Sequence, residues 1–245
     1  MGRLDGKVAL ISGGARGQGA AEAELMVSEG ASVVIGDVLD DDGARTAAAL
    51  GPAAAYHHLD VTDSAQWTAI VAFTVERFGR IDVLVNNAGI FRIQRMTDTS
   101  LEDYRRIMEV NATGVFLGMQ AVTPGMVAQR SGSIINISSI AGLRGSGMAF
   151  AYSTSKWAVR GMTKAVAQEL APHGVRCNSV HPGIIATPMA DEFDRAGVRE
   201  LVQSRIPVGH EAGPEEVAKL VLFLASDDSV YCTGSEFVVD GGMTA

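Results

Sequence analysis

Three side chains near the middle of the chain have the types and spacing to move a proton: Ser139, Tyr152 and Lys156. Tyr152 and Lys156 are four residues apart, so a helix through them puts both on one face. Together, a serine hydroxyl can hold and polarise a substrate oxygen while a tyrosine gives or takes its proton. A free phenol has a pKa of about 10, too high for a base at neutral pH. A lysine cation one turn away is expected to favour tyrosinate and bring that value down. The chain has 20 basic residues, and its only lysines are Lys7, Lys156, Lys164 and Lys219. Lysine at 156 in so arginine-rich a chain fits a tight site, where a guanidinium is not an equivalent substitute.

These residues need a strand and a helix to hold them. The run 133–139 reads as a strand ending at Ser139, and 152–171 reads as a helix stopped by Pro172 and Gly174. Apolar runs at 7–12, 31–37, 53–61, 81–86, 175–181 and 236–240 read as six more strands. Helical runs at 20–26, 43–50, 65–78, 100–129 and 214–225 fall between them. Strand–helix alternation with short connections predicts a single α/β domain over 1–245, built on a doubly wound parallel sheet of seven strands with helices on both faces. Within 100–129, Asn111-Ala112-Thr113-Gly114 interrupts the pattern and predicts a local kink. Segment 184–210 mixes Ile184, Ile185, Met189, Phe193, Ile206 and Val208 with charges and helix breakers. Its place after a strand's carboxyl end suits a mobile lid over an apolar pocket, or else a plain surface excursion.

The first strand runs into Gly13-Gly14-Ala15-Arg16-Gly17-Gln18-Gly19 and then a helix. Strand, glycine turn and helix can present free backbone N–H groups to a pyrophosphate. The spacing is G-x-x-x-G-x-G rather than G-x-G-x-x-G, and a plain tight turn would also use these glycines. The second strand ends in Asp37, 18 residues after Gly19. A carboxylate there can bond an adenosine ribose and would repel a 2′-phosphate; an ordinary loop aspartate is the competing reading. Arg16 argues the other way, since a cation in the loop can reach a 2′-phosphate. Asp37 decides the expectation, because an arginine can swing into water. Asp60 and Val61 stand where an adenine can be held. Small residues after the fourth strand, Asn87-Ala88-Gly89, let backbone approach a flat ligand, while Asn86 and Asn87 can also staple strand ends.

The net charge of −8 argues against nucleic acid as a partner. No apolar run approaches 18 residues, and 1–7 lacks a signal-peptide apolar region. Cys177 and Cys232 form no ligand or redox motif, which fits reduced thiols in the cytoplasm. His57 and His58 are adjacent on a strand, point to opposite faces and cannot jointly hold a metal. No metal is expected in the reaction.

Ser12-Gly13-x-x-x-Gly17-x-Gly19, Asn86-Asn87-Ala88-Gly89, Asn111, Ser139, Tyr152-x-x-x-Lys156 and Pro182-Gly183 with Thr187, in this order, resemble the short-chain dehydrogenase/reductase family over essentially the whole chain. Ser12 stands where the family usually has threonine, with the hydroxyl kept. The detail around Asp37-Val38-Leu39-Asp40, Leu59-Asp60-Val61-Thr62 and Ser179-Val180-His181-Pro182-Gly183 is similar to bacterial NAD-dependent 3α/20β-hydroxysteroid dehydrogenases. The resemblance implies a catalytic set of Asn111, Ser139, Tyr152 and Lys156, with Asn111 positioning a water behind Lys156. It implies NAD rather than NADP, held by Gly13, Arg16, Gly17, Gln18 and Gly19, by Asp37, Val38, Asp60 and Val61, and by Asn87, Ala88 and Gly89. Tyr152 and Lys156 would also touch it, as would Pro182, Gly183, Ile185, Thr187 and Met189, and the charge of its nicotinamide would join Lys156 in favouring tyrosinate.

The expected substrate is a hydrophobic, cyclic or steroid-like secondary alcohol or ketone. Ile90, Phe91, Leu143, Met148, Phe150, Met189 and Phe193 are its candidate walls, with Ile185 beside them. Arg92, Arg95 and Arg144 near the mouth leave a carboxylated substrate open. The helices at 102–129 and 152–171 would pair across subunits in a homotetramer. A 3-oxoacyl-thioester reductase, a reductase of smaller ketones and a nucleotide-sensing scaffold are the alternatives.

Overall fold

The computed structural model describes residues 2–245; Met1, the first residue of both the N-terminal segment and the domain considered above, lies outside them. The strands are β1 (Val8–Ser12), β2 (Ser32–Asp37), β3 (Ala54–His58), β4 (Val83–Asn86), β5 (Gly132–Ile137), β6 (Val175–Pro182) and β7 (Glu236–Val239). They form one sheet in the order β3-β2-β1-β4-β5-β6-β7, and every neighbouring pair is parallel. The helices are α1 (Gly17–Ser28), α2 (Asp40–Leu50), α3 (Ser64–Phe78), α4 (Leu101–Met108), α5 (Gly114–Gln129), α6 (Phe150–Leu170), α7 (Asp191–Arg195), α8 (Arg199–Gln203) and α9 (Pro214–Ala225).

Alternate residues of one strand feed opposite cores. Ala9 and Ile11 join Val33, Ile35, Val83 and Val85 under α1 and α9, where Ala23, Met26, Val217 and Val221 pack. Leu10 joins Val34, Leu84 and Ile134 on the other face, against Trp67, Ile70, Met119 and Val159 of α3, α5 and α6. A sheet covered on both faces needs such nearly continuous apolar strands. Strand order reverses between β1 and β4, so the crossovers leave in opposite directions and a crevice opens at their carboxyl ends. Ser12 is in register with Gly36 on one side and Asn86 on the other, which aligns the three strand ends that floor it.

Several boundaries differ from expectation: α1 begins at Gly17, β4 at Val83, and β5 ends at Ile137 rather than Ser139. β3 ends at His58, not Val61, because the Asp60 carboxylate turns the chain: it accepts from Thr62 N–H (2.9 Å) and Thr62 Oγ1 (2.8 Å). α2 begins at Asp40 rather than 43, with Asp40, Asp41 and Asp42 in a first turn that favours negative charge. α6 begins at Phe150, two residues early. The kink expected at 111–114 is a π turn over Glu109–Thr113 between α4 and α5. Gly114 follows it because a β-carbon there would come within 2.8 Å of the Val61 side chain. His57 packs on Phe73 with ring centroids 5.0 Å apart, and His58 Nδ1 lies 2.7 Å from Asp40. Among the described residues no helix is long and apolar enough to cross a membrane, and no acidic, histidine and cysteine cluster suits a metal.

One buried acid makes stability depend on pH. Glu22 of α1 is buried; its Oε1 accepts from Gln18 Nε2 (3.0 Å) while Oε2 has no partner. Burial pushes its pKa from 4.5 up to about 8. Between those values the folded chain keeps a proton that the unfolded chain releases, so stability falls as pH rises, by at most about 1.4 kcal/mol per pH unit. Glu22→Gln removes that titration. Its thermal midpoint should exceed wild type at pH 8 and match it near pH 4.5; a difference independent of pH would contradict this.

Candidate active site

The glycine turn is locked to the exit of β4. Gly13 has φ +67°, and a β-carbon on it would lie 2.6 Å from Ala88 Cα. Asn87 Nδ2 donates to Gly13 O (2.8 Å) and Ser12 O (3.2 Å), and Gln18 Nε2 donates to Asn87 Oδ1 (3.1 Å). Gly17, with φ +59°, faces Thr187 across the cleft: a β-carbon would stand 3.5 Å from that side chain. Gly19 turns inward instead, where a β-carbon would be 2.4 Å from Gly13 O. It is therefore a packing position, not a wall of the cleft as the sequence reading had it.

The cleft is a cavity of about 1090 Å³ running from the glycine turn to Tyr152 and the segment after β6. Of the residues read from the sequence as dinucleotide contacts, all but Gly19 and Lys156 line it. Asp37 borders one end, its Oδ2 accepting from Ala15 N–H (3.0 Å) and its Oδ1 from Leu39 N–H (3.1 Å). Those bonds hold the carboxylate beside the glycine turn; Arg16, also at the wall, is exposed. Close-approach glycines, a strand-end carboxylate and a long cavity fit a dinucleotide. Arg106, Val110 and Met243 also line the cavity and were missed. Arg106 and Val110 sit at the helix break, where the kink could have signalled them; Met243 comes from the last residues, with no local signal.

At the other end, Ser139 Oγ accepts from Ala141 N–H (3.1 Å), leaving its own proton to donate. Burial pushes the Tyr152 phenol up to about 12, partly offset by its hydrogen bond with Ser139. Lys156 is 3% exposed, and its Nζ donates to Ile137 O (2.8 Å) and lies 5.6 Å from the Tyr152 ring centroid. Burial pushes its pKa down to about 8. In the protein alone the Tyr152 pKa is thus raised, whereas the expectation of a lowered value rests on Lys156 together with the charge of a bound nicotinamide. The lysine that would stabilise tyrosinate is itself desolvated, and loss of water disfavours both charges.

Asn111 is fully buried on the π turn and does not line the cavity. Its Oδ1 accepts from Ile90 N–H (2.8 Å), and its Nδ2 donates to Ile90 O (2.9 Å) and Ser155 Oγ (3.1 Å). It thus fixes the backbone leaving β4. A β-carbon on Gly89 would lie 3.4 Å from Asn111 Oδ1 and 3.6 Å from Lys156 Nζ, so these groups approach one another at Gly89.

Ile90, Phe91, Met148, Met189 and Phe193 line the apolar end. Phe91 meets the Tyr152 ring edge-on (4.8 Å, 71°) and leans on Phe193 (5.3 Å). Leu143 and Phe150 do not line it, contrary to expectation. Phe150 N–H donates to Gln94 O (3.1 Å), which starts α6 pointing away, and its ring is 39% exposed and stacks on Tyr104. Leu143 follows the tight turn Ile140–Gly142 and is carried past the wall. Arg144 lines the cavity but Arg92 and Arg95 do not; Arg195 and Arg205 join it from the 184–210 segment.

A nucleotide-sized crevice at a topological switch point, ending at a half-buried phenol and a serine hydroxyl, fits a dinucleotide-dependent oxidoreductase. A family model described as Enoyl-(Acyl carrier protein) reductase matches residues 13–244. The chain is 54% identical over 244 residues to a 3-alpha-(or 20-beta)-hydroxysteroid dehydrogenase of Mycobacterium tuberculosis, covering 100% of this chain and 92% of that one. It is 48% identical to a trans-4-hydroxycyclohexanecarboxylate dehydrogenase of Sinomonas cyclohexanicum, covering 99% and 95%. The crystal structure of a short-chain type dehydrogenase/reductase from Mycobacterium marinum superposes with a TM-score of 0.94 at 39% identity, covering 99% and 97%. The chain belongs to the short-chain dehydrogenase/reductase family: it is an oxidoreductase acting on CH–OH groups of secondary alcohols, of a family that uses a nicotinamide dinucleotide.

Proposed function

We propose that the protein, as a single domain with 184–210 as its lid, interconverts a secondary alcohol and a ketone on a hydrophobic ring substrate, with NAD as cofactor. The observation that carries this reading is the aromatic wall at the proton donor: Phe91 packs edge-on against Tyr152 and touches Phe193. A flat apolar ring slid along that wall brings its oxygen to Ser139 and Tyr152. In the oxidation direction Ser139 holds the substrate oxygen and Tyr152 Oη accepts its proton. Lys156 stabilises the tyrosinate that takes up this proton and would bond the nicotinamide ribose, and Asn111 supports a relay behind it that passes the proton on to water. The cofactor, when bound, supplies the hydride acceptor.

Asp37 supports NAD over NADP. Its carboxylate is held by two backbone N–H groups and cannot readily turn from a 2′-phosphate, whereas the exposed Arg16 can move into solvent. Both named relatives act on ring alcohols by their names, which supports a cyclic substrate here. A ring carrying a carboxylate is a second reading, favoured by Arg144, Arg195 and Arg205 on the cavity wall. We also read the chain as a homotetramer, because Phe116 of α5 and Trp157 of α6 leave apolar surface exposed (46% and 45%) on the helices expected to pair. Free Cys177 and Cys232 support a reducing, cytoplasmic setting.

The test is turnover with steroids, cyclic ketones with and without a carboxylate, and acetoacetyl thioesters, with NADH and NADPH. Ring ketones with NADH should be fastest; a preference for thioesters would transfer the assignment to a 3-oxoacyl-thioester reductase. Tyr152→Phe should lower kcat by about 10²-fold or more while NADH binding persists, and a near-normal rate would remove Tyr152 from the chemistry. Asp37→Ala should raise relative NADP use roughly tenfold; a wild type that prefers NADPH would overturn the cofactor assignment. Light scattering should give four chain masses, and a monomer would refute the tetramer.

A further inference from the structure

His181 lies near the end of β6, with none of its surface exposed. Its ring Nδ1 is 2.9 Å from Ser139 O, and its Nε2 is 2.8 Å from Ser179 Oγ. A carbonyl oxygen only accepts, so Nδ1 carries the proton; Nε2 then accepts from the Ser179 hydroxyl. Both ring nitrogens are satisfied in one neutral tautomer. Burial holds the pKa of His181 below its ordinary value, opposed by the bond to the Ser139 carbonyl and by Glu236, with Arg160 and Lys156 acting in the same direction as burial.

Ser139 needs such a tether. The β5–β6 ladder is carried one step further by Ser138 N–H, which donates to Val180 O (2.8 Å), and Ser139 then opens the tight turn Ile140–Gly142. Its other bonds, Ala141 N–H to Oγ (3.1 Å) and Gly142 N–H to O (2.8 Å), close within that turn. The bond from His181 joins the turn to β6, and so joins the serine's peptide plane to the strand that continues into Pro182 and Gly183 at the cavity wall. We propose that His181 is a positioning residue: its imidazole fixes the Ser139 carbonyl, and thereby the direction in which the Ser139 hydroxyl meets the substrate oxygen and Tyr152. This rests on the reading of Ser139 as the group that holds that oxygen.

The test compares His181→Ala, His181→Asn and His181→Gln in the full chain, alone and combined with Ser139→Ala. The readouts are kcat, KM, NADH binding by fluorescence and the thermal midpoint. His181→Ala should lower kcat by on the order of 10- to 100-fold, the scale of misplacing a reacting group by about 1 Å, with NADH affinity kept within about twofold. His181→Asn should recover most of the rate, because its Nδ2 can stand where the imidazole Nδ1–H stood. His181→Gln places its nitrogen nearer Nε2 and should not. On the Ser139→Ala background, His181→Ala should cost no further rate, since the two act as a unit. Unchanged kcat in His181→Ala, equal losses for Asn and Gln, or a full additional loss on that background would overturn the proposal. If His181→Ala does not fold, the Asn and Gln pair decides alone. If Ser139→Ala itself leaves turnover intact, the functional reading of Ser139 fails, and this proposal with it; a large Ser139→Ala effect with silent His181 variants refutes this proposal only.

Discussion

Burying an ammonium beside a phenol is unfavourable for both charged forms. Lys156 is buried and Tyr152 is half-buried at the cavity wall; their loss of water pulls the lysine's pKa down to about 8 and pushes the tyrosine's up to about 12. Much of the surrounding structure holds this pair in place. Lys156 Nζ is accepted by Ile137 O (2.8 Å) at the end of β5, and Ser138 Oγ donates to the Lys156 carbonyl (3.0 Å). Both shifts favour a protonated tyrosine in the protein alone. In the proposed mechanism, the positive charge of a bound cofactor would then help it to give up that proton.

A chain of buried polar side chains ties α6 to the sheet so that the pair stays beside Ser139. Asn86 Nδ2 donates to Asn136 Oδ1 (2.8 Å) from β4 to β5, and Asn136 Nδ2 donates to Thr163 Oγ1 (3.0 Å) on α6. Buried amides of this kind are stabilising only when partnered, and their partners require one register of strands and helix. The same strand ends carry Asn87 and Ala88 to the glycine turn. The candidate cofactor cradle stands on the strand ends of the sheet and the proposed proton-transfer pair on the helix that these amides tie to it, which suits a reaction that tolerates little misplacement.

The fold was legible because both of its periodicities are strong. Each apolar run between glycine turns became a parallel strand, and the Asn111 interruption became a π turn. The glycine turn, Asp37 and Pro182-Gly183 were readable as cavity lining because strand ends at a switch point must border a crevice; Tyr152 reaches the same cavity from α6. The substrate wall was less legible. Phe150 and Leu143 have the right chemistry, but Phe150 is held by a contact of its N–H with Gln94 O, 56 residues away, and Leu143 follows the tight turn Ile140–Gly142. Gly19 does not line the cavity, and a phosphate-facing glycine and a packing glycine look alike until Gly13 O is seen against it. The protonation balance of Tyr152 and Lys156 was also out of reach, because four-residue spacing gives proximity but not desolvation.

The central claim is that burial keeps Tyr152 protonated until a positive charge enters the cleft. It is tested most directly by ultraviolet titration of tyrosinate, as the difference between wild type and Tyr152→Phe, with and without NAD⁺. The account predicts no tyrosinate signal from Tyr152 up to about pH 10 in the protein alone, and a signal at lower pH once NAD⁺ is bound. A Tyr152 that ionises well below pH 10 without cofactor, or one whose titration NAD⁺ does not move, would contradict it.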